Sequence, residues 1–154
     1  MGDRSSVSLY FLNEHSSKIK EIYKTGYSEM GEFNWITETT LNYIFFSEVS
    51  YGQLHDLDLL IQAGIPFESI WEGSYKYEEG TRYCRFTPEG DLIDKTVYVN
   101  DINPPLHELL ALCDKPHELV EFVKKHNANI SVPGWENQIE YGKLYRTKRL
   151  ICQA

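Results

Sequence analysis

The first half of the chain alternates apolar and polar positions in ways that predict strands and helices in turn. The run Ser6–Leu12 is β-branched and aromatic, which favours a strand, and Asn13 is placed to cap a following helix. Thr39–Val49 carries apolar side chains on both faces, as a buried strand does. The pattern therefore predicts strands over Ser6–Leu12 and Thr39–Val49, helices over Glu14–Lys24 and Leu54–Ala63, and a loop over Tyr27–Glu38.

The middle of the chain has the pattern of short strands joined by turns. Ser69–Trp71 and Tyr75–Tyr77 are rich in aromatic side chains and alternate with polar ones, which predicts strands. Glu78–Gly80 predicts a turn, with its glycine at positive φ. The strongest local signal predicts a hairpin, formed by Arg82–Thr87 and Leu92–Val99 around the turn Pro88–Asp91.

The last third of the chain predicts two helices and a final strand. Pro105–Cys113 carries leucines at helical spacing. Asp114 is placed to cap a second helix that has Pro116 near its first turn. That helix is expected to turn four apolar side chains inward: Leu119, Val120, Phe122 and Val123. Apolar and polar side chains alternate at the start of Gln138–Ile151, which predicts a strand there.

Together these elements predict an α+β fold. We expect a mainly antiparallel sheet with a hairpin at residues 82–99 and about four short helices packed on it. The 154 residues are 42% apolar and 25% charged, which is typical of a globular protein and too apolar for a disordered one. No stretch rich in Pro, Gly or Ser divides the chain, so residues 1–154 are expected to form a single domain.

Charge is distributed unevenly along the chain, whose formal net charge is −8. Residues 29–121 hold 18 acidic and five basic side chains, a net charge of −13. Such a block repels phosphate backbones, so we expect no binding to free nucleic acid. The exception is a basic C-terminal cluster: Lys143, Arg146, Lys148 and Arg149. The acidic block either keeps the protein soluble or meets a basic protein partner.

The three cysteines indicate a reducing compartment. Cys84, Cys113 and Cys152 are odd in number and far apart, and Met1–Ser8 is too polar for the apolar core of a signal peptide. We therefore expect a cytoplasmic protein without a disulfide framework. The apolar runs are far too short to cross a membrane. Cys84 and Cys113 are expected to be buried as small apolar side chains.

Motifs for catalysis, metal or cofactor binding are incomplete in this sequence. His107-Glu108 and His117-Glu118 begin the helical zinc motif, but Ala111 and Glu121 stand where its second histidine is required. His55-Asp56 is a single dipeptide without further ligands. We expect no catalytic residues, no metal and no cofactor. A small hydrolase that pairs a cysteine with a histidine remains the alternative from a different functional class.

The most distinctive segment runs from Trp71 to Phe86 and interleaves aromatic side chains with acids and two arginines. If its aromatic rings are exposed, such a segment could bind single-stranded nucleic acid by stacking on the bases, although the surrounding acidic side chains oppose this. Packed, it would hold the register of the sheet. Aromatic residues and arginine also dominate protein–protein hot spots. On that basis the candidate partner-binding residues are Trp71, Glu72, Tyr75, Tyr77, Glu78, Glu79, Arg82 and Tyr83.

About half of the chain resembles small accessory proteins carried by bacterial plasmids and phages. The resemblance lies in these runs: Tyr51–Leu54, Ala63–Phe67, Trp71–Gly73, Gly80–Tyr83, Arg85–Gly90 and Pro105–Leu112. It implies a protein that binds host or competitor proteins, and it carries over no site residues. We therefore expect a non-enzymatic acidic protein-binding module, an inhibitor of a host defence or nucleic-acid-handling protein. An immunity-type inhibitor of a toxin is the alternative binder.

Overall fold

A six-stranded antiparallel sheet organises the chain, with its strands in the order β2-β3-β1-β4-β5-β6. The computed structural model describes residues 3–24, 27, 29–34 and 40–153. Within them the strands are β1 Arg4–Leu12, β2 Glu29–Asn34, β3 Thr40–Ser50, β4 Phe67–Trp71, β5 Gly80–Phe86 and β6 Leu92–Tyr98. The predicted α+β class, the antiparallel sheet and the hairpin, which is β5 and β6, are confirmed.

Six α-helices and a short 3-10 helix, Asn13–His15, complete the described part of the chain, where about four helices were expected. The α-helices are α1 Ser16–Ile22, α2 Leu57–Gln62, α3 Val99–Ile102, α4 Leu106–Ala111, α5 Pro116–Ile130 and α6 Gln138–Gln153. None of those within the described ranges is both long and apolar enough to cross a membrane.

The hydrophobic core lies on one face of the sheet. Val7, Leu9 and Phe11 alternate along β1, and all three are fully buried on this face. Helices α1, α2 and α6 cover them and contribute Ile19, Leu60 and other apolar side chains to the same cluster. These helices bury the core side of β1 and β3, whereas Leu92 and Tyr98 on the same side of β6 remain exposed.

The opposite face carries a buried cation. Arg85 is 1% exposed, and its guanidinium lies 3.7 Å from the centre of the Trp135 ring. Its Nε donates to the carbonyl of Pro133 at 3.1 Å, and its Nη2 bonds the carboxylate of Glu68. Lys95 adds bonds to two carbonyls near the end of α5. The chain after α5 is thus fastened across β5 and β6 by polar contacts.

The prediction of a strand over Gln138–Ile151 is wrong, because this segment is α6. Its buried residues are Gln138 and Gly142, four apart, which is the spacing of one helix face. The Gln138 side chain bonds both the N–H and the carbonyl of Phe86, at 2.8 and 3.0 Å. A Cβ at Gly142 would lie 2.0 Å from the carbonyl oxygen of Gly64, so the helix approaches this loop as only glycine permits.

Three local predictions around the strands are also corrected. Tyr75–Tyr77 belongs to a turn closed by a single bridge between Ser74 and Tyr77. Gly80 is the first residue of β5 and has no positive φ, whereas Gly90 in the hairpin turn has a φ of +76°. Residues 29–34 of the expected loop over Tyr27–Glu38 form β2. Residues 28 and 35–39 lie outside the described part of the chain.

The predicted inward face of the second C-terminal helix is wrong as well. None of its four apolar side chains, Leu119, Val120, Phe122 and Val123, is buried, and Val120 and Val123 are about half exposed (49% and 46%). Lys115, rather than Asp114, occupies the N-cap position, and no side chain caps the helix. The segment does form a helix, as the spacing of its apolar side chains predicts, but the helix lies outside the main core cluster.

Candidate functional site

A cleft of about 520 Å³ opens on the core side of the sheet, beside the ends of β4, β5 and β6. The loop that leads from β3 into α2 forms its second wall. Four aromatic side chains and two charged ones dominate its lining: Tyr51, Trp71, Tyr77, Tyr98, Glu78 and Arg82. Size and lining are those of a site for a small ligand or a projecting side chain.

Strand register brings the first aromatic pair of the cleft together. Trp71 ends β4 and pairs with Gly80, which pairs in turn with Tyr98 on β6. Because Gly80 has no side chain, the rings of Trp71 and Tyr98 meet across it edge to face, 6.1 Å between centres. The indole N–H of Trp71 donates to the carbonyl of Glu78 at 2.8 Å, which fixes the ring.

Two turns supply the second aromatic pair. Tyr51 and Gly52 both adopt positive φ, and the approach of Gly52 to the Trp71 ring leaves no room for a Cβ, which would lie 2.8 Å from Trp71 Cγ. Tyr77 comes from the turn after β4, and its ring lies 6.3 Å from that of Tyr51, again edge to face. Backbone geometry therefore positions both rings.

Carboxylates outnumber cations at the cleft. Arg82 donates to both oxygens of Asp94, at 2.9 and 2.8 Å, and to Asp58 at 3.4 Å. The hydrogen bonds to Asp94 raise the pKa of Arg82, so it stays charged and paired. Glu78 adds a further negative charge, held by a bond from the backbone N–H of Asn100 at 2.9 Å. Of the lining side chains that the structure describes, Arg82 is the one cation.

The structure divides the eight residues proposed from the sequence. Trp71, Tyr77, Glu78 and Arg82 line the cleft. Glu72, Tyr75 and Glu79 project into solvent beside it, and Tyr75 is fully exposed. Tyr83 follows Arg82 in β5 and therefore faces the other side of the sheet. The segment is thus no single surface, and Tyr83 is separated from the rest.

Sequence reasoning missed four contributors to the site: Tyr51, Asp58, Asp94 and Tyr98. The dipeptide Tyr51-Gly52 was a signal for a tight turn. The predicted hairpin, with its first strand extended by two residues to Gly80, would have placed Tyr98 beside Gly80. Asp94 lies diagonally opposite Arg82 in the same hairpin, so that hairpin also accounts for its position, whereas Asp58 reaches Arg82 from α2, which no local signal places against the sheet.

The side chains considered for a hydrolase differ in their exposure. Cys84 is buried as expected, and burial raises the pKa of its thiol to about 12, which keeps it protonated near neutral pH. Cys113 is exposed, although it was expected to be buried. His55, His107 and His117 are exposed too. Across the described ranges, no three His, Cys, Asp or Glu side chains are grouped closely enough to hold a metal ion.

Comparisons with known proteins give no significant match for this chain. No protein-family model matches it, and neither the curated proteins nor the solved structures contain a significant match. Functional inference therefore rests on the geometry and charge of the cleft and its rim.

Proposed function

We propose that this protein is a non-enzymatic binding module whose acidic, aromatic cleft and rim dock onto a basic protein. The observation that supports this most strongly is the imbalance of charge at the aromatic cleft, where Asp58 and Asp94 pair with Arg82 and Glu78 lines the same cleft. Aromatic side chains supply contact area at low entropic cost, and surrounding charge of one sign steers an oppositely charged partner.

The rim extends the same chemistry outward. Tyr75 projects fully into solvent from the turn between β4 and β5, with the exposed carboxylates Glu72 and Glu79 close to it in sequence. An exposed ring flanked by acids suits the edge of a protein interface. If the partner handles nucleic acid, these carboxylates would occupy the positions of phosphates and inhibit it. Such an inhibitor would agree with the resemblance to accessory proteins of plasmids and phages.

We place this activity in the cytoplasm. The three cysteines are free, and Cys113 and Cys152 are exposed. Exposed free thiols suit a reducing compartment, because an oxidising one would favour their pairing or modification.

Charge reversal at the rim tests the proposal. A partner is first identified by affinity capture and mass spectrometry, and its association rate is then measured against ionic strength. We expect the rate to fall with salt, and the double variant Glu72→Lys/Glu79→Lys to associate about tenfold more slowly at low salt. Glu78 is left unchanged because its carboxylate bonds the Asn100 backbone.

A matched control separates the rim from total charge. Glu21→Lys/Glu140→Lys makes the same charge change on α1 and α6, where each glutamate belongs to an exposed i,i+3 ion pair. This variant should associate at nearly the wild-type rate. A flat salt response, or an equal loss in both double variants, would contradict docking through the cleft and its rim.

A further inference from the structure

We infer that the cleft receives a cationic side chain, arginine or lysine, that projects from the basic partner. The inference rests on the proposed function and adds the chemical group that the cleft recognises. Three features of the described residues support it: the aromatic walls, the arrangement of charge, and a second acidic pocket that continues the cleft.

The aromatic walls suit a cation. Ring faces carry negative electrostatic potential and attract ammonium and guanidinium groups within about 6 Å of the ring centre. In the edge-to-face pairs Tyr51–Tyr77 and Trp71–Tyr98, one ring of each pair keeps both faces clear of the other ring. Tyr51 is also 54% exposed, so an entering side chain can reach its ring without unfolding the core.

The charges in the cleft favour a cation over an anion. Arg82 is the only lining cation among the described residues, and Asp94 and Asp58 already hold its guanidinium. Glu78 lines the same cleft, and its second carboxylate oxygen makes no hydrogen bond to the described residues. An anion would meet these carboxylates, whereas a cation would be attracted to them.

A smaller pocket of about 240 Å³ adjoins the cleft beyond Arg82. It shares Leu54, Leu57 and Arg82 with the cleft, and Asp56 and Asp58 border it. The acidic lining therefore continues past the aromatic walls. This extension suits residues that flank the bound cation in a basic segment of the partner.

Peptides that differ in a single charge test this inference on the full chain. The probe is acetyl-Gly-Arg-Gly-amide, with a lysine version and a citrulline version that keeps the shape of arginine without its charge. Binding is followed by NMR through the indole N–H signal of Trp71, identified with Trp71→Phe. We expect saturable shifts with the arginine and lysine peptides, and affinity at least about fivefold lower for the citrulline peptide.

Variants in the cleft sharpen the result. Tyr77→Ala and Glu78→Gln should each lower the affinity for the arginine peptide about fivefold. Tyr77→Phe keeps the ring and should bind the peptide as tightly as the wild type does. Glu78→Gln keeps an oxygen that can accept the bond from the Asn100 backbone. Tyr27→Ala is the control, since this exposed tyrosine lies outside both the cleft and its rim, and Tyr75→Ala tests the rim separately.

Equal affinity for the arginine and citrulline peptides, or an indole signal of Trp71 that none of the peptides moves, would overturn the inference. Loss of binding in Tyr75→Ala alone would also overturn it, because the contact would then lie on the rim. The association rate of the partner tests the proposed docking face independently of the peptides. Slow association of Glu72→Lys/Glu79→Lys without peptide binding would retain the docking face and remove only the cation site.

Discussion

At the scale of single residues, Arg85 illustrates how this fold accommodates a buried charge. Its Nη1 donates to the carbonyls of Phe67 and Cys84, both at 3.0 Å, and Glu68 supplies the counter-charge. Burial raises the pKa of Glu68, and the adjacent guanidinium opposes that rise. Removing one partner of such a pair leaves an uncompensated buried charge, so both side chains are structural requirements rather than binding groups.

His15 gives a prediction at the same scale. Its Nε2 is buried without a hydrogen-bond partner among the described residues, and burial lowers its pKa below the ordinary value of 6.5. Lys143 and Arg146 lower it further, while Glu14 opposes them. Between the lowered pKa and 6.5 the unfolded chain binds more protons than the folded one, so stability falls as the pH decreases through this window.

We therefore expect the free energy of unfolding to drop as the pH falls through the ordinary histidine value of 6.5 toward the lowered pKa of the folded state. Urea denaturation at several pH values measures it. His15→Gln should lose this component, and His107→Gln, which alters an exposed histidine, should keep it. Identical pH profiles for the wild type and His15→Gln would contradict the assignment.

At the scale of elements, the strength of the local signal decides what the sequence could predict. The hairpin of β5 and β6 was predictable because its turn residues and its β-rich flanks are contiguous. Helix α6 was missed because its fully buried positions are Gln138 and Gly142, which conceal the apolar period. A helix that packs through an amide and a glycine looks polar on the face that it buries.

The contact of α6 with the loop after α2 can be tested by a substitution at Gly142. Gly142→Ala would place a Cβ against the backbone oxygen of Gly64, which cannot rotate away. Although alanine favours a helix by up to about 1 kcal/mol, we expect a net loss of about 1–3 kcal/mol in unfolding free energy. Gly134→Ala is the control, since it meets only the flexible end of Glu136. Unchanged or increased stability of Gly142→Ala would contradict this packing.

The candidate site was predictable only where it is local. Trp71, Tyr77, Glu78 and Arg82 fall in one segment whose composition marked it. Tyr51 and Asp58 reach the cleft through strand order, because β1 lies between β3 and β4 and so sets the loop after β3 against β4 and β5. Asp94 and Tyr98 reach it through the hairpin, since both lie on β6. Pairing between strands that are distant in sequence produces no local pattern of apolar and polar residues from which it could be predicted.

At the scale of the whole molecule, the acidic cleft and the basic C-terminal cluster lie on different elements. The cleft and its rim are acidic, whereas α6 carries Lys143, Arg146, Lys148 and Arg149. The structure places this basic cluster on a helix, where Lys143 bonds Glu140 at 2.8 Å and Lys148 bonds Asp91 at 3.2 Å. Half of the cluster therefore already has carboxylate partners.

This distribution predicts weak binding to free nucleic acid. With a net charge of −8 and two of the four α6 cations paired, the chain can neutralise few phosphates, so little counterion release is available to drive binding. In mobility-shift assays near 150 mM salt, we expect dissociation constants no tighter than about 100 µM for DNA and RNA. Sub-micromolar binding that disappears when Arg146, Lys148 and Arg149 are neutralised would show that α6, rather than the acidic cleft, is the functional surface. Binding that persists in that variant would contradict the prediction and place the nucleic-acid contact outside α6.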